Sequence, residues 1–277
     1  MKEDVTFVLP RSGQILRGQR TPVGVGTPTL CLHGWLDNCA SFGPLFERAA
    51  DLNLTAVDLP GHGLSDPIRS ATCLDLDYVA VILELAHEQG WDRFHLIGHS
   101  MGGSLATLVA GLHPEKVSRL VLIDSIGPPS ATAEQARISV AHYLHAYLNG
   151  KANPTYRTRD QAIEVRARLA GILTTTADLL VERDLSEVPG GYSWNHDPRL
   201  KYPIIRAFTE EQVLACLRAI TAPTLLITAG RGPLVEESHP GRIAAVPDLR
   251  QVTLPGGHHL HMENAAQVAA VIRHFLT

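Results

Sequence analysis

Cysteine is scarce in this chain. Its 277 residues hold 4, at positions 31, 39, 73 and 216. That is too few for a disulfide scaffold, and the spacing is not that of a zinc site. Reduced thiols in a cytoplasmic protein are the expectation. A surplus of positive charge is lacking too. Lys and Arg number 24 against 28 Asp and Glu, for a net charge of -4. No broad basic surface for nucleic acid or anionic membrane follows from that balance. No stretch approaches the roughly 18 uncharged apolar residues of a membrane span. The first residues, MKEDVTFVLP, lack the apolar core of a secretory signal. There is no internal repeat and no low-complexity tract. What remains is a globular protein whose partner is expected to be a small molecule, with no metal and no cofactor implied.

Short apolar runs are plentiful. Thr29–Leu32, Leu54–Val57, Phe94–Ile97, Leu120–Ile123 and Thr224–Ile227 are each too short for a helix and apolar on both faces. Strands buried on both sides of a parallel sheet read this way. Helical stripes lie among them. Leu74, Tyr78, Val81, Ile82 and Leu85 share one face of a helix ending near Gly90. Val268, Val271, Ile272, Phe275 and Leu276 share another, with Asn264 and Gln267 placed as a capping box. The first ~20 residues predict two antiparallel strands turning at Ser12-Gly13. Alternating strands and helices define an α/β fold with a mostly parallel sheet.

The alternation breaks after about residue 126 and resumes near 221. In between, Ala133–Leu148 and Gln161–Leu180 read as helices, with no strand-like apolar run until Thr224. The expected division is a core of 1–126 plus 221–277 with a helical cap, 127–220, inserted between two strands.

One motif carries chemistry. Phe94–Ile97 leads into Gly98-His99-Ser100-Met101-Gly102-Gly103, and an apolar helical segment follows. This is G-x-S-x-G in its confirming context of strand, tight turn and helix. A nucleophile on so sharp a turn leaves no room for side chains two residues either side, and glycine at 98 and 102 removes the clash. The amides opening the following helix favour an oxyanion. The bland alternative is a serine that only caps the helix.

Taken together, these segments resemble the α/β-hydrolase superfamily over nearly the whole chain. His33-Gly34-Trp35 resembles its oxyanion turn, the Asp58–Asp66 loop its turn after strand four, and Gly257-His258 with Glu263 its histidine turn. More narrowly, LCLHGWLDN, RFHLIGHSMGG and NHDPRLKYP with TEEQVLACLRAI resemble the serine hydrolase-like branch. The resemblance implies an eight-stranded, mostly parallel sheet flanked by helices, with a cap after strand six. It implies acyl transfer to water by Ser100, with a histidine as base and a carboxylate to orient it. His258 matches the family turn best, over its neighbours His259 and His261, which read as solvent-facing. His33 and His99 read as structural or pocket-lining. The implied oxyanion donors are the backbone amides of Trp35 and Met101, although Trp35 also reads as a core aromatic.

The acid is the gap. Most of the superfamily carries it just beyond strand seven, where this chain reads Ile227-Thr-Ala-Gly-Arg-Gly-Pro. Asp124, at the end of strand six, is the favoured replacement. The βαβ unit from Ser100 returns the chain to the same sheet edge, and strands six and seven should lie ~4.8 Å apart. Glu236 and Glu237 are the competing carboxylates, and a dyad without an acid is the third option. Asp58–Asp66 reads as turn structure. Arg157, Arg159, Arg166 and Arg168 read as a solvated helix face in preference to a site for an anion. Asn195–Arg199 either lines the site or turns the chain.

The expected function is therefore a carboxylic ester hydrolase for small to medium acyl groups. The alternatives are hydrolysis of a C–C bond in a diketone-like substrate, or a non-catalytic ligand-binding member of the fold. Dehalogenase and epoxide hydrolase relatives are disfavoured because they carry aspartate where Ser100 stands.

Overall fold

The computed structural model describes residues 2–22, 24–232 and 239–277. The chain opens with the antiparallel hairpin of β1 (Glu3–Leu9) and β2 (Gln14–Arg20). Strands and helices then alternate: β3 (Val25–Leu32), α1 (Gly43–Arg48), β4 (Leu52–Val57), α2 (Asp75–Glu88), β5 (Phe94–His99), α3 (Met101–Leu112) and β6 (Val117–Ile123). The inserted segment holds α4 (Ala133–Asn149), β7 (Thr155–Tyr156), α5 (Arg159–Ala170), α6 (Thr174–Asp184), β8 (Leu185–Val188), β9 (Gly191–Trp194) and α7 (Glu210–Arg218). The sheet resumes with β10 (Thr224–Ala229), α8 (Pro240–Ala245), β11 (Leu249–Leu254), α9 (Leu260–Glu263) and α10 (Ala265–Leu276).

Eight strands make one sheet in the order β1-β2-β4-β3-β5-β6-β10-β11. From β4 to β11 every pairing is parallel, while β2 meets both β1 and β4 antiparallel. Period-two alternation explains the apolar runs. Leu96, Leu120, Leu122 and Leu226 pack with Ile82, Leu105 and Val109 of α2 and α3 on one face. Ile97, Val121, Ile123, Leu225 and Ile227 pack with Leu45 and Phe46 of α1 and Val268 and Ile272 of α10 on the other. Both faces are covered by helices, so the strands carry apolar residues on each face.

The insertion departs from its expected all-helical form in two ways. β7, β9 and β8 form a small antiparallel sheet. Its strands are short and only partly buried, so they carry no apolar alternation to read. The expected helix Gln161–Leu180 is two helices, parted where Gly171 adopts a left-handed φ of 65° at the end of α5. The left-handed stop is what glycine permits at a helix end. Ile163, Ala167, Ala177 and Val181 form a separate small core there. The capping box expected at Asn264 is also not formed. The Asn264 side chain donates to the Pro255 carbonyl and to Gln267 Oε1 instead. Among the described residues, no helix is long and apolar enough to cross a membrane.

Candidate active site

Ser100 lies between β5 and α3 with φ 52° and ψ −119°. Such a conformation costs a non-glycine residue ~1–3 kcal/mol and persists only where the surroundings enforce it. The enforcement is local crowding. A Cβ on Gly98 would lie 2.6 Å from Gly103 Cα, and one on Gly102 would lie 2.7 Å from the His33 carbonyl oxygen. Glycine at both positions lets the turn close. Because α3 begins at Met101, its first amide follows directly on Ser100.

Asp124 follows β6, also at a left-handed φ of 48°. Its amide donates to the Ile227 carbonyl at 2.7 Å, tying it to β10. Its buried carboxylate is fully engaged. Oδ1 accepts from the Ala229 amide at 3.2 Å, and Oδ2 lies 2.6 Å from His258 Nδ1. The second contact explains the empty position on β10. A Cβ at Gly232 would collide with Asp124 Oδ2 and come within 3.0 Å of Asp124 Cγ. Gly232 therefore leaves the space that the Asp124 carboxylate fills. Glu236 and Glu237 lie outside the described residues.

The structure brings Ser100, His258, Asp124, Trp35 and Met101 around one cavity of about 560 Å³. Tyr143, Leu200 and Tyr202, from the segment between β6 and β10, line the same cavity. Trp35 is not a core aromatic: it is 47% exposed, and its indole N–H donates to the Leu200 carbonyl at 2.7 Å. Arg199 lines the cavity while pairing with Asp197, so Asn195–Arg199 both turns the chain and reaches the site. The Asp58–Asp66 loop is turn structure with a buried anchor. Asp58 accepts from the Cys39 and Leu64 amides and pairs with Arg183 of α6.

Other expectations fail. His259 and His261 are buried, not solvent-facing. They pack in a cluster with His99, whose ring centroid lies 4.9 Å from that of His259 and 4.1 Å from that of His261. Arg157 and Arg168 are exposed as expected and Arg159 pairs with Asp178 near the surface. Arg166 is buried and pairs with Asp37. None of these arginines lines the cavity. His33 is structural, its Nε2 accepting from the Leu59 amide at 2.9 Å.

The residues that the sequence concealed are Asp37 and Arg242. Arg242 is buried, binds the Ile126 and Pro128 carbonyls and pairs with Glu210. That contact pulls the Glu210 carboxyl down to about 2. No local pattern announces either residue, because their partners lie far along the chain. Asp37, His99 and His259 also offer ligand atoms within 4.8 Å of one another, a set that could hold a metal ion. Arg166, paired to the same Asp37 carboxylate, already supplies the positive charge a metal would bring.

Comparison with known proteins gives the class. The model of the alpha/beta hydrolase fold matches residues 27–265. A serine hydrolase-like protein of Dictyostelium discoideum is 32% identical over 89% of this chain and 74% of its own length. The esterase YbfF of Escherichia coli is 27% identical over 90% of this chain and 93% of its own. The crystal structure of a hypothetical protein from Pseudomonas aeruginosa superposes with a TM-score of 0.87 at 37% identity, covering 97% of this chain and 96% of that one. The chain belongs to the α/β-hydrolase fold family and, within it, to the serine hydrolase-like proteins.

Proposed function

We propose that the protein hydrolyses carboxylic esters of small to medium acyl groups through a serine-bound acyl intermediate. Ser100 Oγ attacks the carbonyl carbon while His258 Nε2 takes its proton. The amides of Met101 and Trp35 hold the oxyanion, each such donor contributing on the order of 2.7–4 kcal/mol to the transition state. The tetrahedral intermediate collapses, and the alcohol leaves with the proton from His258. Water then attacks the acyl group by the same route, and Ser100 is restored. Asp124 holds the imidazole in the tautomer with its proton on Nδ1 and stabilises the imidazolium as it forms. Residues 127–220 act as a cap that shapes the acyl pocket.

The observation that carries this reading is the 2.6 Å contact between Asp124 Oδ2 and His258 Nδ1. It leaves Nε2 for Ser100, which lines the same cavity. The strained φ of Ser100 and of Asp124 adds support, since such strain gathers at functional positions. The test is labelling by a serine-directed fluorophosphonate together with turnover of short p-nitrophenyl esters. Wild-type protein is expected to label and turn over, and Ser100→Ala to do neither. No Ser100-dependent labelling and no turnover would favour a ligand-binding role.

A further inference from the structure

Two glycines precede His258, and Gly256 stands at φ 138°. Such a backbone has little stiffness of its own. A ring that must be held within a fraction of an ångström needs its peptide fixed as well as its Nδ1. The structure supplies that fixation from the nucleophile's strand. His99 Nε2 lies 2.9 Å from the main-chain oxygen of His258. A carbonyl only accepts, so this nitrogen carries the proton and donates.

A second contact grips the same loop. Asp37 Oδ2 lies 3.5 Å from His99 Nδ1, both side chains being almost fully buried, with no hydrogen bond between them. A Cβ at Gly34 would come within 2.9 Å of Asp37 Oδ2 and 3.0 Å of His99 Nδ1, so glycine there makes room for the pair. The other Asp37 oxygen meets Arg166 of α5 and lies 3.3 Å from His259 Nε2. Burial pushes the His99 imidazole down to about 4, which keeps it neutral with a single proton to place. Burial opposes the charge on Asp37, but His259 and Arg166 outweigh it and hold the carboxyl well below the usual range. None of Asp37, His99 and Arg166 lines the cavity, so none can reach a substrate there.

We propose that His99 and Asp37 are positioning residues for His258, His99 through the His258 carbonyl and Asp37 through the adjacent His259, and that Arg166 couples the seating of the inserted segment to Asp37. This inference rests on the reading of His258 as the base. The chain Arg166–Asp37–His259 runs from α5 through the turn after β3 to the residue after His258, while His99, the residue before Ser100, donates to the His258 carbonyl. Its effect falls on the chemical step and leaves substrate binding alone. Misplacing a catalytic group by about 1 Å lowers a rate by about 10²-fold, so partial loosening is expected to fall below that.

The experiment is steady-state kinetics on p-nitrophenyl acetate for His99→Phe, His99→Gln, Arg166→Met and the double variant His99→Phe with Arg166→Met. Folding is checked by thermal melting. His99→Phe is expected to lower kcat about tenfold or more with KM within about twofold, a fraction of the misplacement limit. His99→Gln keeps an N–H and recovers most of the loss. Arg166→Met lowers kcat severalfold, and the double variant is slower than either single variant, because the two grips reach the His258 loop by separate contacts. Wild-type kcat in His99→Phe, or a double variant no slower than His99→Phe alone, overturns the proposal. Should His99→Phe not fold, Arg166→Met and Arg166→Lys decide it. Loss of kcat at unchanged KM in the first and recovery in the second are expected, and wild-type kcat in Arg166→Met overturns it. Turnover that survives both Ser100→Ala and His258→Ala would instead sink the catalytic reading itself.

Discussion

The sixth and seventh strands of the sheet, β6 and β10, run side by side in register, Ile123 opposite Ile227, and end differently. One runs into Asp124, buried and fully hydrogen-bonded. The other runs into Gly230-Arg231-Gly232, with no carboxylate. The two ends are complementary. Any side chain on Gly232 would occupy the volume of the Asp124 carboxylate. An empty position in a family pattern thus marks where a neighbouring strand delivers its own group. Position 232 is informative because of what it leaves room for.

That comparison can be broken by exchanging the ends. Asp124→Gly is expected to lower kcat by about 10³–10⁴-fold, the scale seen when a triad loses its acid. Adding Gly232→Asp to that variant should return at least about tenfold of the loss, because a carboxylate then reaches the vacated space from the adjacent strand, ~4.8 Å away. A double variant no faster than Asp124→Gly would show that the two ends are not interchangeable.

A smaller effect sharpens it. Gly232→Ala keeps Asp124 but crowds its carboxylate. A drop in kcat of about 10–100-fold is expected, in line with displacement of an orienting group by a fraction of an ångström to 1 Å. Wild-type kcat in Gly232→Ala would mean that the carboxylate has slack. The smallest effect belongs to the competing acids. Glu236→Gln and Glu237→Gln should each leave kcat within about twofold, because the acid's role is assigned to Asp124. A loss in either comparable to that of Asp124→Gly would move the acid to that residue.

The legibility of this molecule follows how far its contacts run along the chain. Strands buried on both faces announce themselves, since Leu120 and Leu122 serve one core and Val121 and Ile123 the other. The nucleophile turn is equally local, because the clashes that demand Gly98 and Gly102 arise within the elbow and the neighbouring β3 turn. The small sheet of the insertion was not legible. Leu185–Val188 and Gly191–Trp194 are partly exposed on both faces and show no period. The buried histidines misled for a related reason. A run of polar residues on a loop reads as solvated, yet His261 is enclosed by Phe42 and His99 from distant segments. Arg166 and Asp37, separated by 129 positions, could be joined only by the fold.

The central claim is that the acid of the site is Asp124. It is tested most directly by kcat for ester hydrolysis in Asp124→Asn, which keeps the shape of the side chain and removes its charge. With folding intact by thermal melting, a fall of at least about 10³-fold is expected. A kcat within a few fold of wild type would contradict it.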